Sequence, residues 1–293
     1  AFIVVFPFYW MIISSLKSFD EYHLKGEFLG RVIPTFFPTE ILWENYFLAL
    51  FGTRYTDMES FEAAVAAGDN PYQYMLLAKS MLTTLIMGVS STLVSVFITI
   101  FAAFAFGRLQ FKGRELLFTI LLMTMMIPGE LFTITNYETV NNLHWTYGTG
   151  GYKVYLSYVV PFLVSVFYIY LLRNNFKQIP DELYYAAKVD GASDFKYLFK
   201  VMVPLAMPSI ISITILKMMG AWNSYIWPNL VSLGAEDGTY LLVSVVLRKK
   251  YSASIEGALQ PIPIRMAACV IVSIPLFIVF ALFRKYIIRG VSK

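Results

Sequence analysis

The chain has 293 residues, 58% of them hydrophobic and only 14% charged, with a formal net charge of +4 and a mean hydropathy of +0.62. That balance leaves too little polar surface for a soluble globular protein of this length and points to a chain that lives in a bilayer. Cys269 is the single cysteine, so neither an internal disulfide nor a thiolate metal cluster is available, and His23 and His144 are too far apart for a helical zinc motif.

In chain order, apolar runs near 1–16, 82–106, 116–134, 155–172, 203–222 and 266–283 approach the roughly 20 residues that cross a hydrocarbon core. The expected fold is all-α: a polytopic membrane protein with about six transmembrane helices, read as one membrane domain over 1–293, without repeats or low-complexity tracts. The first run is short for a span and follows no methionine, so it is expected to be the end of a helix that begins before Ala1. No small-residue cleavage site follows Ser14-Ser15, which disfavours a secretory signal.

Between the first two runs, 17–79 is acidic and also holds Trp43, Tyr46, Phe47 and Leu48, enough apolar character for a short helix. The glycines Gly148, Gly150 and Gly151 suggest a flexible connector at 145–152. Both segments are either docking places for an outside partner or plain solvated connectors. Lys and Arg are dense in 107–115, 173–200 and 284–293, which assigns these segments and both termini to the cytoplasm. Arg248, Lys249 and Lys250 fall outside and run against that rule.

The polar stretch 180–208 lies between two apolar runs and reads as helix, glycine, helix. Pro180 suits a first helical turn, Asp181 and Glu182 suit its positive end, and Asp190-Gly191 is a stop signal. Ser193 is the expected N-cap of a second helix that enters the membrane, with Pro204 and Pro208 kinking it. Such a unit either rests on the lipid surface or docks a soluble protein. No glycine is followed by lysine anywhere, so the chain carries no phosphate-cradling GxxxxGK[ST] loop and does not hydrolyse ATP by that route.

The spacing Ala186-Ala187, three residues, Gly191, nine residues, Val201, one residue, Val203-Pro204 resembles the EAA loop of bacterial ABC importer permeases. The stretches around Trp10 and Lys17, MIPGE at 126–130, WNSYIWP at 222–228, and SIPLFIVF running on to RKYIIRG at 273–290 resemble landmarks of the carbohydrate branch, similar to the second permease subunit of maltose-type systems.

The resemblance implies the type I importer fold and a coupling helix in 180–208 that plugs into an ATPase subunit through Glu182, Tyr185, Ala186, Ala187, Asp190, Gly191 and Ala192. It implies a second, different permease, two ATPase subunits that carry the ATP and magnesium, and an extracytoplasmic solute-binding protein, in the bacterial plasma membrane. This chain is then a transport subunit that binds no cofactor, with lipid and no nucleic acid among its partners. Tyr185 stands where the family usually has glutamate, so Glu182, one turn earlier, is expected to supply the charge. The family's short tail toward the ATPases would lie beyond Lys293.

Within the runs, Glu130 beside Pro128-Gly129 marks a helix break, and intramembrane ionisable groups are functional candidates. Lys217, Asn223 and Trp227 complete the pathway candidates, against plain interfacial or packing roles. Tyr158, Phe162 and Tyr168 either stack on sugar rings or pack helices. A permease for glycerol phosphate, an amino acid or a peptide, or a membrane sensor or scaffold, are the alternatives to sugar import. An anionic solute would call for Lys217 or Arg265.

Overall fold

In the computed structural model, residues 2–18, 21–22, 26–28, 31–33, 35–51, 55, 57–71, 75–235, 240–251 and 262–291 are described. His23 and Lys293 lie outside them, as do the side chains of Glu27 and Arg289. The chain divides into two compact units, Ala1–Thr84 with Ala235–Ile278, and Leu85–Gly234 with Val279–Lys293.

In the first unit, α1 (Phe2–Ser15) leads to a small antiparallel hairpin, β1 (Gly26–Phe28) and β2 (Arg31–Ile33), in which Glu27 faces Val32. Apart from these two three-residue strands the regular structure described is helical, as the all-α polytopic expectation has it. The acidic segment 17–79 holds more structure than the single short helix expected of it. Two helices, α2 (Glu44–Ala49) and α3 (Met58–Ala66), close over an aromatic cluster in which Phe51 lies 5.2 Å from both Phe47 and Phe61. Asp57 caps α3 by accepting from the Ser60 amide at 2.7 Å. Below α1, Lys17 is buried, donates to Thr35 Oγ1 at 2.7 Å and sits 5.0 Å from the Trp10 ring, while Asn45 bonds the carbonyls of Ser15 and Lys17.

Helix α4 (Leu76–Gly107) passes from the first unit into the second. The second unit continues with α5 (Arg114–Thr124), α6 (Phe132–Asn142), α7 (Val154–Val159), α8 (Val166–Lys177), α9 (Asp181–Val189), α10 (Asp194–Tyr197), α11 (Met207–Trp222) and α12 (Ile226–Val231). Helices α13 (Val243–Tyr251) and α14 (Ile262–Val291) follow.

Among the described residues, α4 and 262–285 of α14 are each long and apolar enough to cross a membrane, and 3–15 is a shorter apolar helix. The expected spans 116–134 and 203–222 are bent rather than straight: Arg114–Thr124 meets Gly129–Phe162 at 79°, and Asp194–Leu205 meets Met207–Trp222 at 79°. Proline explains both. Pro128 pushes the residue before it out of the helical region, and Pro208 removes the N–H that would bond back to residue 204. The expected span 155–172 is also interrupted: α7 runs into the turn Val160–Phe162, and Ser165 starts α8 anew.

Within the segment 145–152, Gly148, Thr149 and Tyr152 are exposed and two positions make close contacts. Thr146 is buried and bonds Asn141 and Thr149, and a Cβ at Gly150 would collide with the His144 carbonyl oxygen.

The core of the second unit joins α4, α8, α10 and α11 through Phe104, Phe176, Tyr197, Leu198, Met202 and Ile210. Burying each of these large side chains contributes about 1.5–3 kcal/mol. This core fixes the second half of the polar unit against the membrane helices.

Candidate functional site: an exposed helix on a buried arginine

Pro180 takes φ −55 and ψ 140 and stands just before α9, one position earlier than the first turn expected for it. Asp181 and Glu182 do occupy that turn. Helix α9 ends in a Schellman motif: Gly191 sits at φ +71, its amide bonds the Lys188 carbonyl at 3.0 Å, and the Ala192 amide reaches the Ala187 carbonyl at 2.8 Å. The Ser193 hydroxyl then accepts from the Lys196 amide at 3.3 Å and starts α10, as its position in the sequence suggests. A turn of π-helix, Leu198–Met202, follows.

The two halves of the unit are tied side by side. Asp194 accepts from the Tyr184 hydroxyl and pairs with Lys188, both at 2.9 Å, and the Tyr184 ring packs edge-on at 5.1 Å against buried Tyr197. The Lys188 ammonium, then the Tyr184 hydroxyl, hold the Asp194 carboxyl below the usual carboxylate range, and Asp194 in turn raises Lys188.

Helix α9 buries none of its residues. Glu182, Tyr185, Ala186 and Val189 follow at i, i+3, i+4 and i+7 and form one exposed face, with Tyr185 64% and Val189 88% exposed. Ala187 and Ala192, half-buried, lie nearer the support, and Asp190 and Gly191 are exposed at the tip.

Sequence reasoning missed what holds this helix. Arg108, one residue past α4, is buried and donates to the carbonyls of Phe176 (3.2 Å) and Ile179 and to the Asp181 carboxylate. Arg173 of α8 reaches the other way: its Nε donates to the Phe106 carbonyl at 2.9 Å, and its Nη2 alone donates to both Glu115 oxygens, at 2.6 and 2.7 Å, with the guanidinium over the Phe118 ring. The Arg173 bonds keep the Glu115 carboxyl below its ordinary range. The available signal was an arginine directly after the glycine that closes a long apolar run.

The pathway candidates divide. Lys217 donates to the Phe162 carbonyl at 2.5 Å rather than reaching outward, and Phe162 meets the Trp227 ring edge-on at 5.6 Å. Trp227 is buried, with its indole N–H on the Ser157 carbonyl at 2.9 Å. Asn223 bonds back to its own helix at Met219. Glu130 is exposed at the first bend and, among the described residues, its carboxylate has neither hydrogen bond nor ion pair.

Two cavities were not foreseen. One of 460 Å³ is lined by residues of α8 and α11, among them Phe167, Tyr170, Asn174, Asn175, Gln178 and Ser209. The other, of 560 Å³ in the first unit, is lined by Ser244, Arg248, Tyr251, Arg265 and Cys269.

The family model described as binding-protein-dependent transport system inner membrane component matches residues 95–293. The chain is 27% identical to the probable ABC transporter permease protein MG189 of Mycoplasma genitalium, over 99% of this chain and 82% of the relative. It is 25% identical to the sn-glycerol-3-phosphate transport system permease protein UgpE of Yersinia pestis, over 98% of this chain and 90% of the relative. With the arabinooligosaccharides transport system permease protein AraQ of Bacillus subtilis it shares 25% identity over 71% of this chain and 70% of the relative. Its fold is similar to a chain of a bacterial ABC transporter involved in the import of the acidic polysaccharide alginate, with a TM-score of 0.75 at 21% identity over 97% and 91% of the two chains. A polytopic helical chain whose polar unit presents one exposed helix on a buried support, and whose matched region contains all of that unit, belongs to the family of binding-protein-dependent transport system inner membrane components.

Proposed function

We propose that this chain is one of two different permease subunits of an importer for a sugar or oligosaccharide. A permease of this family is a transport subunit, and ATP hydrolysis belongs to separate ATPase subunits. The observation that carries the reading is α9, which buries none of its nine residues yet is bolted to α4 and α8 through Arg108. An exposed helix on a rigid mount suits docking, because displacement at its face passes into the membrane helices instead of being absorbed locally.

On this reading Glu182, Tyr185, Ala186, Ala187, Asp190, Gly191 and Ala192 enter a cleft of one ATPase. ATP and magnesium sit on the two ATPases, a second permease completes the pathway, and an extracytoplasmic protein delivers the solute. Both termini and the docking unit face the cytoplasm, with spans near 1–16, 82–106, 116–134, 155–172, 203–222 and 266–283 in a single transmembrane domain. Glu130, Lys217, Asn223 and Trp227 border the pathway. Closure of the ATPases moves α9, and the bent spans tilt to exchange inward and outward openings. A saccharide cargo is supported by the arabinooligosaccharide relative and by the fold shared with the alginate importer.

Reconstituting the chain with its partner subunits and measuring ATPase rates across solutes tests the function. A saccharide, presented by the binding protein, should raise the rate several-fold; stimulation by non-saccharides alone would sink the reading. For orientation, a cysteine at Glu59 should react with a membrane-impermeant thiol reagent in intact cells and one at Lys196 should not, in a Cys269→Ser background. The reverse pattern would invert the topology.

A second reading, import of sn-glycerol 3-phosphate, is favoured by the cavity that Arg248 and Arg265 line and by the UgpE relatives.

A further inference from the structure

We propose that the 460 Å³ cavity between α8 and α11 is a binding subsite for a neutral, polyhydroxylated solute, so that this chain itself touches the cargo close to the docking unit. The inference rests on the saccharide reading above and narrows it to uncharged sugars.

Helix α8 has two faces. Ile169, Leu172, Arg173 and Phe176 are buried, whereas Phe167, Tyr170, Asn174, Asn175 and Gln178 turn to the cavity at helical spacing. Among the described residues, none of the three amide side chains has a hydrogen-bond partner. Each offers two donors and an acceptor, the complement of a sugar hydroxyl, which both donates and accepts. Tyr170 and Phe167 are 38% and 46% exposed and supply ring faces beside those amides. The volume falls within the range of small-molecule sites, about 300–1,000 Å³.

No charged residue lines this cavity. The two cations of α8 are committed elsewhere: Arg173 to Phe106 and Glu115, and Lys177 to Glu115 at 3.6 Å. A phosphate or carboxylate here would lose hydration without a counter-charge, whereas hydroxyls would exchange water for amides.

The cavity is also placed to respond to docking. Gln178 lies three residues before Asp181 of α9, and Ser209 lies just past the 79° bend that ends the docking unit. Movement of that unit therefore moves both walls, and by linkage an occupied cavity biases the position of the docking helix.

The test uses the whole transporter in proteoliposomes, with radiolabelled maltotriose, arabinotriose and sn-glycerol 3-phosphate as probes. Asn175→Ala and Gln178→Ala should each lower trisaccharide uptake about tenfold, the effect of losing one well-made polar contact. Tyr170→Ala should do the same and Tyr170→Phe should not, while ATPase co-purification stays at the wild-type level in all four. Trisaccharide import at wild-type rates in the assembled alanine variants would overturn the subsite and leave the saccharide function standing. Wild-type import of sn-glycerol 3-phosphate and neither trisaccharide, falling with Arg265→Ala, would overturn both.

Discussion

Arg108 and Arg173 each close the end of the other's helix: Arg108, just past α4, donates to the Phe176 and Ile179 carbonyls at the end of α8, and Arg173 of α8 donates to the Phe106 carbonyl at the end of α4. The two helices approach closely there, and a Cβ on Gly107 would lie 3.6 Å from Phe176 Cβ. Four orphan carbonyls end every helix, and here a charged side chain from the neighbour satisfies one at the end of α4 and two around the end of α8, while Arg108 also reaches Asp181.

Arg108→Ala should therefore take the donor from the Ile179 carbonyl, while the Phe176 carbonyl keeps the Ile179 amide at 3.3 Å, and free the first turn of α9. The expected loss is about 2–3 kcal/mol of stability, together with ATP hydrolysis that continues without proportional uptake. Melting temperature and the ratio of solute moved to ATP hydrolysed measure both effects. An unchanged ratio in a correctly assembled Arg108→Ala transporter would show that the clamp transmits nothing.

Gly191 separates two kinds of damage. Its φ of +71 disfavours any side chain, yet a Cβ there meets nothing within 4 Å, so Gly191→Ala should cost about 1–2 kcal/mol and keep partial uptake. Gly191→Pro cannot take that φ and loses the amide that bonds Lys188, so uptake should vanish while the chain still inserts. Transport assays on membranes with matched permease content check the order of the two variants.

Glu182 and Tyr185 share the exposed face, and among the described residues Glu182 carries no ion pair. If Glu182 supplies the docking charge, Glu182→Gln should weaken ATPase co-purification more than Tyr185→Phe, and added salt should weaken the wild-type complex because such a contact is screened over about 10 Å at 0.1 M. Equal retention by both variants, with no salt effect, would assign docking to shape and apolar packing.

Asp194 and Glu115 both have depressed carboxyl values in the fold. The stability they contribute is fully present above their unfolded values, about 4, and is lost as the pH falls through the lower folded values. Lys188 has the opposite sign: raised by Asp194, its contribution is lost only as the pH climbs through its elevated value, far above neutrality. The protection of α9 amides, taken relative to their intrinsic exchange rate at each pH, should therefore fall below about pH 4, by a small factor because these groups face solvent. Asp194→Asn should show the lower protection already at neutral pH.

The sequence alone determined the membrane character, the helix stop at Gly191, the cap at Ser193 and the breaks at Pro128 and around Pro204 and Pro208, because hydropathy, capping and proline chemistry act within one or two turns. It carried the spacing from Ala186 to Pro204 as well, and the family match includes that region. Only the tertiary structure decided what supports α9. The partners of Arg108 lie 68 to 73 residues away and those of Arg173 58 to 67, distances over which no local pattern specifies a pairing. The same holds for the cavity: the amides of α8 read as ordinary polar residues at the end of a span until α11 supplies the opposite wall. Glycine in a sequence signals freedom, and at Gly150 it is the nearby His144 carbonyl that requires it.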